Sequence, residues 1–305
     1  MNRDRLNVLL AGRLDAAERE AWWHALNAAA PEFGWHREDG PYDRAAIDAA
    51  VVANPTPGLL AGLPRLRLIQ SLWAGVDKLL DDPSLPTAVP LARMVDPAMS
   101  AAMAETALWA VIGLHRRFFD YAAQQADAHW QPHAQRRADE VDVLVLGAGQ
   151  MGAAVAARLA SQNYGVRTWR SGDGTPLAAQ LGGADIVIDL LPLTPMTRGL
   201  LDARAWAAMR RGASFVNLAR GAHVVEADLI AALDSGHVHR AVLDVFATEP
   251  LPRDHPFWRH PKVTVLPHVA ALTDERSAAA IAAANLRALA RGEPIAHLVD
   301  RARGY

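Results

Sequence analysis

The chain has 305 residues, 51% of them hydrophobic, which suffices to bury a core across two domains and excludes a disordered polypeptide. With 31 basic and 33 acidic residues the formal net charge is -2, so no basic footprint for nucleic acid is expected. Cysteine is absent, which removes disulfides, thiolate catalysis and cysteine-based zinc sites.

The opening MNRDRLNVLLAGRLD carries an apolar run too short for a signal peptide. No membrane-length apolar span stands out, so a soluble, cytoplasmic protein is expected. Residues 7–11 read as a strand, and Asp15 is placed to cap a helix over AAEREAWWHALNAA. Trp22 and Trp23 on that helix read as packing residues rather than a ligand box. Apolar runs at 49–53 and 66–72 are further strands, separated by the Pro- and Gly-containing loop 54–58. A long helix over 99–119 follows Pro97 and bridges to the next domain.

Val141 to Leu146 form a buried strand that runs into Gly147, Gly149 and Gly152 and then the helical AAVAARLA. This is G-x-G-x-x-G in the context that a dinucleotide site requires, strand before and helix after. The first Gly permits the tight bend, the second admits the pyrophosphate, and the third lets helix and strand pack closely. Free N–H groups around Gln150 and Met151 then face the phosphates. Further strands fall at 166–169, 185–191, 213–218, 238–245 and 263–266, with helices at 203–211 and 226–235. The alternation predicts parallel sheets with helical crossovers. An Ala-rich helix over 277–291 closes the chain and is expected to return to the first domain, making it discontinuous.

An Asp or Glu about 20 residues past the glycines normally binds the ribose 2′-OH of NAD. Here the second strand ends Val166-Arg167-Thr168-Trp169-Arg170-Ser171, with no acid at that point. Arg170 and Ser171 can bind a 2′-phosphate, which favours NADP(H); Asp173, two residues on, keeps NAD possible.

The segments DIVIDLLPLTPMTRGLL, FVNLARGAHVVEADLIAAL, AVLDVFATEPLP and VLPHVAALT resemble the D-isomer-specific 2-hydroxyacid dehydrogenases. NPTPGLLAGLPRLRLIQSLWAGVDKLL and MVDPAMSAAMAE are similar to the glyoxylate/hydroxypyruvate reductase branch of that family. The resemblance implies an α/β protein of two Rossmann-like domains, flavodoxin-like plus dinucleotide-binding, with the active site in the cleft between them. Residues 1–97 plus 273–305 would bind substrate and 98–272 the cofactor. It implies Arg220, Glu249 and His268 as the catalytic trio. Their chemistry is coherent: His268 donates the proton, Glu249 stabilises its imidazolium, and Arg220 clamps the substrate carboxylate and carbonyl oxygen. It further implies Trp73, Ala74, Gly75 and Val76 as the substrate loop, and Leu191, Pro192 and Asp244 beside the cofactor.

Trp73 departs from the family pattern, where a small residue commonly stands, and either narrows the pocket or stacks on a larger substrate. The expected function is NADPH-dependent reduction of small 2-oxo acids, glyoxylate and hydroxypyruvate first, in a homodimer without nucleic-acid or membrane partners and without a metal. An NAD-dependent dehydrogenase for a bulkier 2-hydroxy acid and a cofactor-sensing binding protein on the same scaffold are the alternatives.

Overall fold

The computed structural model describes residues 5–172 and 174–305. Asp173, which kept NAD open on sequence, lies outside the described residues. The chain forms two compact units, one from Met1–Met99 with Thr273–Tyr305, the other from Ser100–Leu272.

In the first unit the chain runs β1 (Asn7–Gly12), α1 (Ala16–Ala29), β2 (Gly34–Arg37), β3 (Ala49–Ala53), β4 (Leu68–Ser71), α2 (Asp77–Leu80) and β5 (Leu91–Ala92). The strands pair in parallel in the order β2-β1-β3-β4-β5, the flavodoxin-like arrangement. Helix α1 starts where the sequence places it: Glu18 N–H donates to Asp15 Oδ1 and Asp15 N–H to Glu18 Oε2, each at 2.9 Å, a reciprocal capping box. Trp22 and Leu26, four residues apart, are its buried face. Strand β3, AAVVA, is buried throughout, as a central parallel strand must be. Two strands escape the sequence reading. β2 is a half-buried edge strand, GWHR, without an apolar run, and β5 is two residues long.

The C-terminal helix (Glu275–Arg291) belongs to this first unit and packs on α1 and β4; small residues, Ala278, Ala279, Ala282 and Ala283 among them, are buried along it. Its tether is polar. Buried Asn285 donates to Gln70 Oε1 at 2.7 Å and to Ala296 O at 3.2 Å, and accepts from Ala296 N–H at 3.1 Å.

The second unit opens with α3 (Pro97–His115), whose first residues lie at the boundary, followed by α4 (Phe118–Ala126). One helix over 99–119 is therefore corrected to two. Arg117 adopts the left-handed region (φ 61), and Gly113 makes the reversal possible: a Cβ there would meet Phe119 Cε2 at 2.5 Å. By length and composition α3 could cross a membrane, which also corrects the reading that no such span exists. Its Met103, Ala104, Ala107, Ala110, Val111 and Leu114 instead form a stripe buried in the core of the second unit.

There follow β6 (Asp142–Leu146), α5 (Gln150–Ala160), β7 (Gly165–Trp169), α6 (Leu177–Leu181), β8 (Ile186–Asp189), α7 (Ala203–Ala208), β9 (Ala213–Asn217), α8 (Glu226–Asp234), β10 (Val238–Leu243) and β11 (Val263–Val265); the C-terminal helix is α9. The six strands are parallel in the order β11-β10-β9-β8-β6-β7, so the topological switch falls between β6 and β8. Ligands in such sheets bind at the carboxyl ends of the strands on either side of the switch.

Asn285→Ala leaves Gln70 and both backbone groups of Ala296 without their buried partner. It should cost about 2–3 kcal/mol of stability by urea unfolding.

Candidate active site

The glycine turn leaves β6 beside the switch. Gly147 has φ 104, and a Cβ there would lie 2.5 Å from Leu190 O. At Gly152 a Cβ would fall 1.7 Å from Gly147 O, so α5 packs directly on the turn. Gly149 differs: a Cβ there would meet nothing within 4 Å. That open side lies ahead of the first N–H groups of α5, Gln150 and Met151, which have no intrahelical acceptor. The cradle therefore fits the pyrophosphate of a dinucleotide, with room above Gly149 and donors facing an anion.

Beside it, Arg170 at the end of β7 donates from Nη2 to Ala148 O at 3.2 Å, inside the glycine turn, and Ser171 is exposed next to it. On the other side of the switch, Asp189 Oδ1 accepts the Leu191 N–H at 3.0 Å, and Pro192 O accepts the Thr197 hydroxyl at 2.7 Å. Leu191 and Pro192 are thus fixed in a tight turn just beyond β8.

Arg220 follows β9 in extended conformation and donates to Ala219 O at 2.7 Å. The Asn217 side chain bridges this turn, donating to Arg220 O and accepting from Ala219 N–H, each at 3.0 Å. The next residue must be glycine: a Cβ on Gly221 would sit 1.9 Å from the Phe246 carbonyl carbon. Backbone contact therefore brings the Arg220 turn against the segment that carries Glu249.

Glu249 uses both carboxylate oxygens. Oε1 accepts from Phe246 N–H at 3.0 Å, and Oε2 lies 2.9 Å from Nδ1 of His268. As an ionised carboxylate accepts only, Nδ1 carries the hydrogen. The His268 side chain is 53% exposed, and Nε2 makes no hydrogen bond among the described residues. His268 adopts φ 57, in the left-handed region that a non-glycine residue enters only when its surroundings impose it.

The constraint is Asp244, buried at 1% exposure. Its Oδ1 and Oδ2 accept the Val269 and Ala270 N–H groups at 2.8 and 2.9 Å, while His268 N–H donates to Asp244 O at 2.9 Å. Burial pushes the Asp244 carboxyl above its ordinary range, against the pull of the two amide bonds and of His268. Asp244 thus anchors the His268 segment.

In the first unit, Trp73 to Val76 link β4 to α2. Trp73 N–H donates to Ser71 Oγ at 3.0 Å, and Trp73 O accepts from Met94 N–H at 3.1 Å. Its indole stands edge-on to buried Trp22, ring centroids 6.2 Å apart at 80°. The N–H groups of Ala74, Gly75 and Val76 find no acceptor among the described residues, which leaves consecutive donors for an anion.

Sequence reasoning passed over two pairs that brace these turns. Fully buried His223 and Asp189 meet at 2.6 Å between Nδ1 and Oδ2, joining the turn after Arg220 to the Leu191 turn. Glu226 Oε1 accepts the Ala247 N–H at 3.2 Å, and its Oε2 lies 3.3 Å from His255 Nε2. His255 and His260 are partly buried with carboxylate partners, Glu226 and Asp234. Their signal was only a polar residue near a strand end, which no spacing rule ranks.

Residues 108–270 match the model of the D-isomer specific 2-hydroxyacid dehydrogenase NAD binding domain. A glyoxylate/hydroxypyruvate reductase A from Serratia proteamaculans is 40% identical over 302 residues, covering 94% of this chain and 96% of that protein. The crystal structure of a D-isomer specific 2-hydroxyacid dehydrogenase from Xanthobacter autotrophicus Py2, in complex with NADPH and MES, superposes with TM-score 0.92 at 38% identity, covering 99% of this chain and 100% of the other. An NADPH-dependent glyoxylate/hydroxypyruvate reductase from Sinorhizobium meliloti, in complex with NADP and sulfate, gives TM-score 0.90 at 33% identity, with 99% and 100% coverage.

Proposed function

The chain belongs to the D-isomer-specific 2-hydroxyacid dehydrogenases, and we propose that within this family it is an NADPH-dependent reductase of small 2-oxo acids, glyoxylate and hydroxypyruvate first. The observation that carries the reading is the His268–Glu249 pair, a proton donor with a bound orienter and an unclaimed Nε2, beside the Arg220 turn.

In this reading His268 Nε2 gives its proton to the substrate oxygen as C2 is reduced, so the 2-oxo acid becomes the 2-hydroxy acid. When bound, the reduced nicotinamide supplies the hydride that C2 accepts. Glu249 holds Nδ1–H and offsets the imidazolium charge before transfer. Arg220 offers donors to the carbonyl oxygen and carboxylate, where negative charge develops. In the first unit the Ala74, Gly75 and Val76 amides offer donors to a carboxylate, and Trp73, fixed by Ser71, Met94 and Trp22, bounds the space beside them. A clamped indole limits substrate size, which favours two- and three-carbon acids over the bulkier class.

Gly147, Gly149, Gly152, Gln150 and Met151 would hold the pyrophosphate, with Leu191 and Pro192 flanking the switch. Arg170 and Ser171 would read the 2′-phosphate. The relatives crystallised with NADPH or NADP support that choice. Two copies are proposed to associate through the second unit. Trp109, Phe118 and Trp130 there are 46%, 52% and 96% exposed, more large apolar surface than a solitary unit needs to present.

Against a panel of 2-oxo acids with NADPH, the wild-type protein should turn over glyoxylate and hydroxypyruvate best. His268→Ala should lower turnover by roughly 10²–10⁴-fold while NADPH still binds, read by nicotinamide fluorescence. Absence of turnover with every 2-oxo acid, or full activity in the variant, would sink the assignment. Arg170→Ala should raise the KM for NADPH by about 10–100-fold and leave that for NADH unaltered, as expected for the loss of a charge-assisted hydrogen bond. Equal losses would mean that the arginine does not read the phosphate. Sedimentation equilibrium should return twice the mass of the chain.

A further inference from the structure

Burial holds two arginines of the first unit below the ordinary guanidinium range, Arg93 and Arg301. Arg301 has a local explanation, since its Nη2 donates to Pro86 O at 3.0 Å and Val89 O at 2.8 Å. Arg93 has none. Half-buried, it makes no side-chain hydrogen bond and meets no carboxylate among the described residues. Removing a cation from water without a counter-charge is unfavourable, and a site tolerates it where a ligand anion completes the pair.

The position of Arg93 says which anion. Strand β5 continues in extended form past Ala92: Arg93 N–H donates to His297 O at 3.0 Å on one side, and Met94 N–H to Trp73 O at 3.1 Å on the other. Side chains alternate along such a segment, so Arg93 shares a face with Leu91. Leu91 belongs to the cluster that contains Ile69, Val76 and Leu79, the face on which α2 packs. Arg93 is therefore one step nearer the carboxyl edge of β5, on the side of Val76. The Met94–Trp73 bond joins that edge to the loop whose Ala74, Gly75 and Val76 N–H groups are unclaimed. A planar cation and a run of backbone donors at one sheet edge match the two oxygens of a carboxylate.

We propose that Arg93 is a substrate-binding residue whose guanidinium, with the amides of Ala74, Gly75 and Val76, receives the carboxylate of the 2-oxo acid. This rests on the reading of the chain as a 2-oxo acid reductase. It adds a side-chain cation to the backbone donors of the same unit.

The test compares wild type, Arg93→Gln and Arg93→Lys by glyoxylate kinetics and by calorimetric titration with oxalate, a planar carboxylate that cannot be reduced. Arg93→Gln should raise the KM for glyoxylate and the Kd for oxalate by about 10–100-fold, with the loss in KM rather than kcat and the KM for NADPH unmoved. Arg93→Lys, which keeps the charge but not the fork, should fall between. Urea unfolding without ligand should find Arg93→Gln at least as stable as wild type, because the change removes an uncompensated charge. Unaltered oxalate affinity and glyoxylate KM would overturn the proposal. So would a destabilised or unfolded Arg93→Gln, which would make the arginine structural. Should the wild type reduce no 2-oxo acid while Arg93→Gln still loses oxalate, the substrate reading falls and the carboxylate site stands.

Discussion

A single buried carboxylate organises the chemistry of the second unit. Asp244, at the end of β10, accepts the Val269 and Ala270 amides on its two oxygens while its own carbonyl takes the His268 N–H. These bonds compensate a desolvated acid and oblige the chain after β11 to bend at His268, which explains the left-handed backbone of a residue with a full side chain. The bend delivers Nδ1 to Glu249 and leaves Nε2 outward. Without it, a histidine in a strand-end loop would sample many positions, whereas the proposed role of proton donor requires it to be held within hydrogen-bonding reach of its target.

The same logic of backbone contact governs Arg220. Gly221 presses on the Phe246 carbonyl with no room for a methyl group, so the turn carrying the arginine packs backbone to backbone on the segment carrying the glutamate. Behind them the Asp189–His223 pair ties the Arg220 turn to the Leu191 turn, and Glu226 ties down Ala247. These braces are charged or polar side chains that satisfy a neighbouring backbone or one another. This is how parallel strand ends, whose last groups lie outside the ladder, are made rigid enough for catalysis.

Where the sequence was informative, local rules and tertiary need agreed. Asp15 and Glu18 form a capping box that three-residue spacing announces, and the three glycines of the fingerprint each meet the constraint that their position implies. Apolar runs located the central strands because those are buried on both faces. The runs overran at their ends, since Leu190, Leu191 and Leu218 are apolar yet belong to the turns that make the site. Strands β2 and β5 lack the pattern altogether, one lying at an edge and the other too short to show a period. The break between α3 and α4 was invisible because Arg117 gives no warning of φ 61; only Gly113 hinted at it, and a lone glycine in a helix is an ambiguous sign.

Arg93 was overlooked for a related reason. An arginine in LARMVD reads as solvated until the fold shows it half-buried with no side-chain partner among the described residues. Several arginines do find an acid, as Arg65 and Arg67 do with Asp48, and Arg136 and Arg210 with Asp185. In those pairs the guanidinium stays about half exposed, so water competes for it. A half-buried cation without a side-chain partner among the described residues is the opposite case: in the proposed role, the part of its dehydration already borne in folding becomes affinity when a carboxylate arrives. Trp73, edge-on to Trp22 beside the same loop, would then limit how much else that carboxylate can bring with it. In the proposed reading charge selects the class of substrate and the indole its size.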